Sequence, residues 1–333
     1  MKRECPSLFA ALLVSLLVNV LLLRSQTAYR PRAGLAAAPL CALLLAAVGW
    51  LFARCWRLAC DPVLRLLFGA LLVFSSVLEL LRLWQLADRL YPGAITLTSV
   101  CLLAVLPVVY LRRVSALSQT ARAVLCLLAA ATAVMLISVL PRLRITNLQY
   151  SVLTRADFFT AAKDQLTLYP EYLLPALWPA QDKRGRHTLL RLAGYALAFD
   201  VSIHLLLELF YGAAMPLRAD PVHAAARCGA LSIFNRLEWL QFILWVMAVT
   251  VKLALYLYAL VRLLGGRSKA ENSAAGLDRF PVYLGGIWLL CAVLRKIDLD
   301  TALPLRSALT WGFALLTWIG GGAACLYRSI RRC

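Results

Sequence analysis

No hydrophilic stretch of this 333-residue chain is longer than roughly 20 residues, too short for a soluble domain with its own core. Acidic side chains are scarce: 16 Asp and Glu stand against 35 Lys and Arg, a formal charge of +19. There are only 3 histidines, His187, His204 and His223, too few and too scattered for a histidine metal cluster. The 10 cysteines include no Cys-x-x-Cys and lie mostly inside apolar runs, so they read as small apolar fillers and not as a zinc or disulfide framework. The chain has no His-Glu-x-x-His, no Gly-x-Ser-x-Gly and no phosphate-cradling glycine loop with lysine. Nothing in it points to an enzyme, a metal or an organic cofactor.

Apolar residue is abundant instead. The chain is 62 % hydrophobic, with a mean hydropathy of +0.77. That excludes an ordinary soluble domain and predicts an all-α polytopic membrane protein, a single integral membrane domain over 1–333. Apolar windows predict about ten transmembrane helices: Leu8–Leu23, Leu35–Phe52, Val63–Leu83, Ala94–Leu111, Ala121–Leu140, Phe158–Trp178, Leu189–Gly212, Trp239–Leu264, Val282–Leu294 and Leu309–Leu326. Lys2 and Arg3 before the first run resemble a signal peptide. No small-x-small cleavage site follows, so the run is read as an uncleaved first span.

The basic residues sit in short clusters between these runs. Membrane orientation and anionic lipid headgroups account for them better than nucleic acid does. With both termini cytoplasmic, the inner loops would be Arg54–Arg65, Arg112–Arg122, Lys183–Arg191 and Arg262–Arg279. The stretch Pro216–Glu238 is amphipathic and is expected to lie as an interfacial helix on the outer side.

Three segments carry the polar residues that a membrane interior tolerates poorly. The first is FNRLEWLQFILWVMAVTVKLALYLYALVRLL, from Phe234 to Leu264. At about 100° per residue, Glu238, Gln241, Trp245, Lys252 and Tyr256 share one face, with Lys252 near mid-membrane. Such a stripe lines a pathway or a ligand site. The plainer reading is a lysine paired with one carboxylate of a neighbouring helix to hold the bundle. The second is the sixth window, FFTAAKDQLTLYPEYLLPALWP, where Pro170 and Pro175 interrupt the helix and Glu171 lies between them. It is expected to be a broken span, because irregular backbone at membrane depth survives only when buried or lining a cavity. A re-entrant or surface helix before a short kinked span is the alternative.

The third segment holds Asp200, His204 and Glu208 at i, i+4 and i+8 on the seventh span. They suit a proton relay or ligand contact, could meet Lys252 or Arg236, or could pair structurally; a metal is the weakest of these readings. Glu79 precedes Arg82 by three residues and predicts an ion pair at a helix end.

Taken together, Arg236-Leu237-Glu238, Trp245, Lys252 and Tyr256-Leu257-Tyr258 resemble the spore germination permease subunits of the GerAB type, relatives of the amino-acid/polyamine/organocation transporters. The layout is similar too: Asp61–Pro62 opening the third span, the Tyr91–Pro92 turn, the basic Arg112–Arg113 loop, a next span from Ala121, and Asn147–Leu148 before the broken sixth span. The likeness covers residues 60–265. It implies an inverted-repeat architecture like that of LeuT. It also implies a B-type germinant-receptor subunit in a spore inner membrane, A- and C-type partner subunits, and a small nutrient ligand, an amino acid. Site residues implied with it are Arg236, Glu238, Trp245, Lys252 and Tyr256, and the polar stripe adds Gln241. Two departures stand out. The first run, LFAALLVSLLVNVLLL, has no glycine and only Ser15 and Asn19 as polar residues, which argues against a ligand contact there. The Asp200 stripe is not a feature associated with the family. A proton-coupled amino-acid transporter and an accessory protein without ligand are the competing readings.

Overall fold

A computed structural model describes residues 8–19, 31–59, 62–93, 95–111, 113–147, 154–177, 182–212, 225, 238–264, 280–296 and 299–330. Every long element among them is helical: α1 (Phe9–Val18), α2 (Pro31–Ala59), α3 (Pro62–Leu90), α4 (Leu97–Tyr110), α5 (Val114–Val139), α6 (Arg155–Gln165), α7 (Asp182–Tyr211), α8 (Glu238–Leu264), α9 (Phe280–Leu294) and α10 (Leu299–Ile330). Each predicted apolar window overlaps one of them, and the sixth runs past its helix. Five stretches are long and apolar enough to cross a bilayer: Ala33–Trp56, Pro62–Arg89, Val114–Arg142, Leu189–Tyr211 and Phe242–Leu263. The protein is therefore a helical integral membrane protein.

Its surface agrees. Leu40, Leu43 and Leu44 of α2, Leu102, Leu103 and Leu106 of α4, and Leu315, Leu316 and Ile319 of α10 are all exposed. Bands of exposed aliphatic side chains are what lipid solvates and water does not.

α8 forms the centre. It packs on α1, α3, α4 and α5, and 78 % of its apolar window is buried, against 28 % for that of α5. α1 is buried around its whole circumference, from Ala10 to Val18. Ten residues rise only about 15 Å, half of a hydrocarbon core. α2 joins α6, α7 and α10.

Local chemistry sets several boundaries. Pro62 occupies the first turn of α3, where its missing N–H is no loss. Thr96 and Thr154 cap α4 and α6, accepting from the backbone N–H of Ser99 and Asp157 at 3.2 Å each. The C-terminal carbonyls of α7 are covered from afar: Asn147 Nδ2 donates to Leu209 O at 2.9 Å and the Arg144 N–H to the same oxygen at 3.1 Å. Gly212 follows with φ +52°, and a Cβ there would meet Asn147 Cβ at 3.1 Å, so glycine serves both the turn and the approach.

Several expectations change. Residues 183–191 lie inside α7 and most of 112–122 inside α5, so these basic clusters are helix ends instead of loops. α10 begins at Leu299, well before the predicted Leu309. The expected interfacial helix at 216–238 lies outside the described residues, apart from Ala225 and Glu238.

Candidate functional site

The sixth window breaks where its prolines require. α6 ends at Gln165, residues 166–169 run irregularly, and two 3₁₀ turns follow at Pro170–Tyr172 and Leu174–Leu177. The backbone freed by the break finds partners. Trp311 Nε1 donates to Leu166 O at 3.0 Å, and the Leu168 N–H donates to Ser307 Oγ at 3.3 Å, both partners on α10. Gln165 Nε2 donates to Gly34 O of α2 at 2.6 Å. Gly49 of α2 lies against the first turn so closely that a Cβ there would sit 2.6 Å from Tyr172 O. Irregular backbone is thus buried and tied on both sides, as an apolar interior demands.

This segment carries Glu171, fully buried, to the centre of the bundle. Its Oε1 accepts from Ser15 Oγ of α1 at 2.6 Å and from Tyr256 OH of α8 at 2.7 Å. Lys252 Nζ lies 3.2 Å from the same oxygen. Lys252 also donates to Glu79 Oε1 of α3 at 2.6 Å and to Asn19 Oδ1 of α1. Arg306 Nη1 of α10 reaches Glu79 Oε1 at 2.8 Å, and its guanidinium lies 5.2 Å from the Tyr169 ring centroid. Glu79, Glu171, Lys252 and Arg306 are all at most 1 % exposed. Each carboxylate faces a cation, the condition under which buried ions persist.

The network is not saturated. Glu79 Oε2, Glu171 Oε2, Asn19 Nδ2 and Arg306 Nε have no hydrogen-bond partner among the described residues. Buried polar atoms of native proteins are nearly always partnered, by protein groups or by water, so these four atoms stand out.

Lys252, Tyr256 and Glu171 are brought together. Trp245 is buried on α8. Glu238 and Gln241 lie on α8 but their side chains, like all of Arg236, are outside the described residues. Asp200, His204 and Glu208 are buried on α7, which packs on α2 and α1. His204 Nδ1 lies 2.8 Å from Asp200 O and 3.2 Å from Asp200 Oδ1. The carboxylates that pair with Lys252 are Glu79 and Glu171, and Asp200 is not among them.

The expected helix-end position of the Glu79–Arg82 pair is corrected: both are buried within α3, Arg82 still acts electrostatically on Glu79, and the cations in direct contact with Glu79 are Lys252 and Arg306. Sequence reasoning also passed over Arg306 and set aside the first span, whereas Ser15 and Asn19 both enter the network. The available signal was simple: a polar side chain inside an apolar run needs a partner at the same depth. No family model matches the chain, and no curated protein matches it at a significant level.

Proposed function

We propose that this protein is a divergent B-type germinant-receptor subunit, which binds a small nutrient, an amino acid, at the Glu79–Lys252–Glu171 centre and signals from there. The observation that carries the reading is the incomplete buried network: unpartnered carboxylate oxygens beside an unpartnered amide and guanidinium N–H. Acceptors of that charge suit a ligand ammonium, and the donors suit a ligand carboxylate.

The composition of the centre supports the inverted-repeat reading with about ten spans. Side chains from α1, α3, the broken sixth segment, α8 and α10 converge there. Discontinuous helices at the middle of a bundle are how secondary-transporter folds build a ligand site. Under this proposal the protein sits in the spore inner membrane with A- and C-type subunits. A ligand that favours one packing of the centre over another then supplies the signal.

A second reading, proton-coupled amino-acid transport, rests on the buried His204–Asp200 pair of α7, whose groups can exchange protons. Reconstituted vesicles separate the two. The receptor reading expects an amino acid to bind without accumulating inside, with or without an imposed proton gradient. Gradient-dependent accumulation that Lys252→Met or His204→Gln abolishes would establish the transporter instead.

A further inference from the structure

Lys252 is itself bound as a ligand would be. A primary ammonium has three N–H donors, and three oxygens from different parts of the chain surround Nζ: it donates to Asn19 Oδ1 and to Glu79 Oε1 of α3, and it forms an ion pair with Glu171 Oε1 of the broken sixth segment at 3.2 Å. The face of Tyr256 lies 5.6 Å away and adds a cation–π contact. The two carboxylates have further partners besides Lys252. Glu171 is also held by Ser15 and Tyr256, and Glu79 by Arg306. Asn19 continues the buried helix α1.

We infer that Asn19, Glu79 and Glu171 form a receptor for a primary ammonium group, and that Lys252 is its tethered resident. The chemistry is selective. A quaternary ammonium offers no N–H to the three oxygens, and a neutral alcohol brings no charge to offset two carboxylates. A resident also sets the affinity for visitors. An outside amine binds the intact protein only in the fraction of molecules whose receptor is free of Lys252, so its apparent affinity is lowered by that fraction. The inference rests on the proposed reading only for its consequence, that an amino-acid ligand and Lys252 compete for these oxygens. The receptor stands on its own geometry.

The test uses purified Lys252→Ala, which removes the equivalent of one propylammonium. At millimolar concentration, n-propylammonium is expected to raise the Tm of this variant by about 2 °C or more. Equal concentrations of tetramethylammonium, n-propanol or sodium should leave it unchanged, and n-propylammonium should not shift the intact protein. If the variant does not survive purification alone, it should be recovered as a monodisperse species when n-propylammonium is present throughout. Equal shifts, or equal recovery, with n-propylammonium and tetramethylammonium overturn the inference, as does an equal shift in the intact protein. These results are independent of whether the intact protein responds to an amino acid, so the receptor and the proposed function can fail separately.

Discussion

Lys252→Met is expected to abolish the ligand response and to lower stability by about 3–5 kcal/mol, the range for removing one partner of a buried ion pair. The substitution preserves length and apolar volume, so lost packing contributes little. What remains is a centre whose two carboxyl groups, Glu79 and Glu171, have lost a shared cation. Glu171 keeps only the hydroxyl donors of Ser15 and Tyr256, which cannot neutralise a carboxylate in an apolar interior. Glu171→Gln added to Lys252→Met restores charge balance and should recover most of the loss, because a neutral amide accepts the same two hydroxyl donors. Thermal unfolding of the single and double variants in detergent checks this. Strict additivity of the two single effects would show that the residues are not coupled.

Gly49→Leu is expected to act on the same centre without touching it. The Cβ alone would lie 2.6 Å from Tyr172 O and 3.3 Å from a methyl of Leu189. A backbone carbonyl within a turn that Pro170 begins cannot swing aside as a side-chain tip can. The turn must move off α2, and Glu171 moves with it, away from Lys252 and Tyr256. Overpacking of this kind costs about 1–3 kcal/mol. The response should fall further than stability does, because Glu171 is the next residue back along the chain from the displaced carbonyl. Gly194→Ala in α7 is the control. Nothing lies within 4 Å of a Cβ there, so stability should not fall and gains up to about 1 kcal/mol from helix propensity.

Much of this architecture was legible in the sequence because the bilayer simplifies the reading. Apolar windows located the helices, Pro170 and Pro175 located the break, and Lys252 announced itself by lying in the middle of a span. Partner identity was not legible. Glu79 lies 173 residues from Lys252 and Arg306 lies 227 from Glu79, whereas helix-surface rules see only i+3 and i+4. Those rules matched Glu79 to Arg82.

Arg306 escaped notice for a related reason. Arg306, Pro304 and Asp300 depress the hydropathy of the first turns of α10, so the apolar window begins only after them, although those turns are helical. The first span was set aside because it has no glycine. Its contribution comes instead from two side chains, Ser15 and Asn19, one turn apart on a short buried helix. The buried stripe on α7 was visible, but its packing against α2 instead of α8 follows from the bundle as a whole.

The proposed function places an amino acid on the unpartnered atoms of the Glu79–Lys252–Glu171 network. A thermal-shift screen of the twenty amino acids on the purified protein tests it most directly, since a ligand that binds only the folded state stabilises it by RT ln(1 + [L]/Kd). At least one of them is expected to raise Tm in a saturable way, and Glu171→Gln, which alters one acceptor of the network, is expected to weaken that shift by tenfold or more in midpoint concentration. No shift with any amino acid, or an unchanged midpoint in Glu171→Gln, would contradict it.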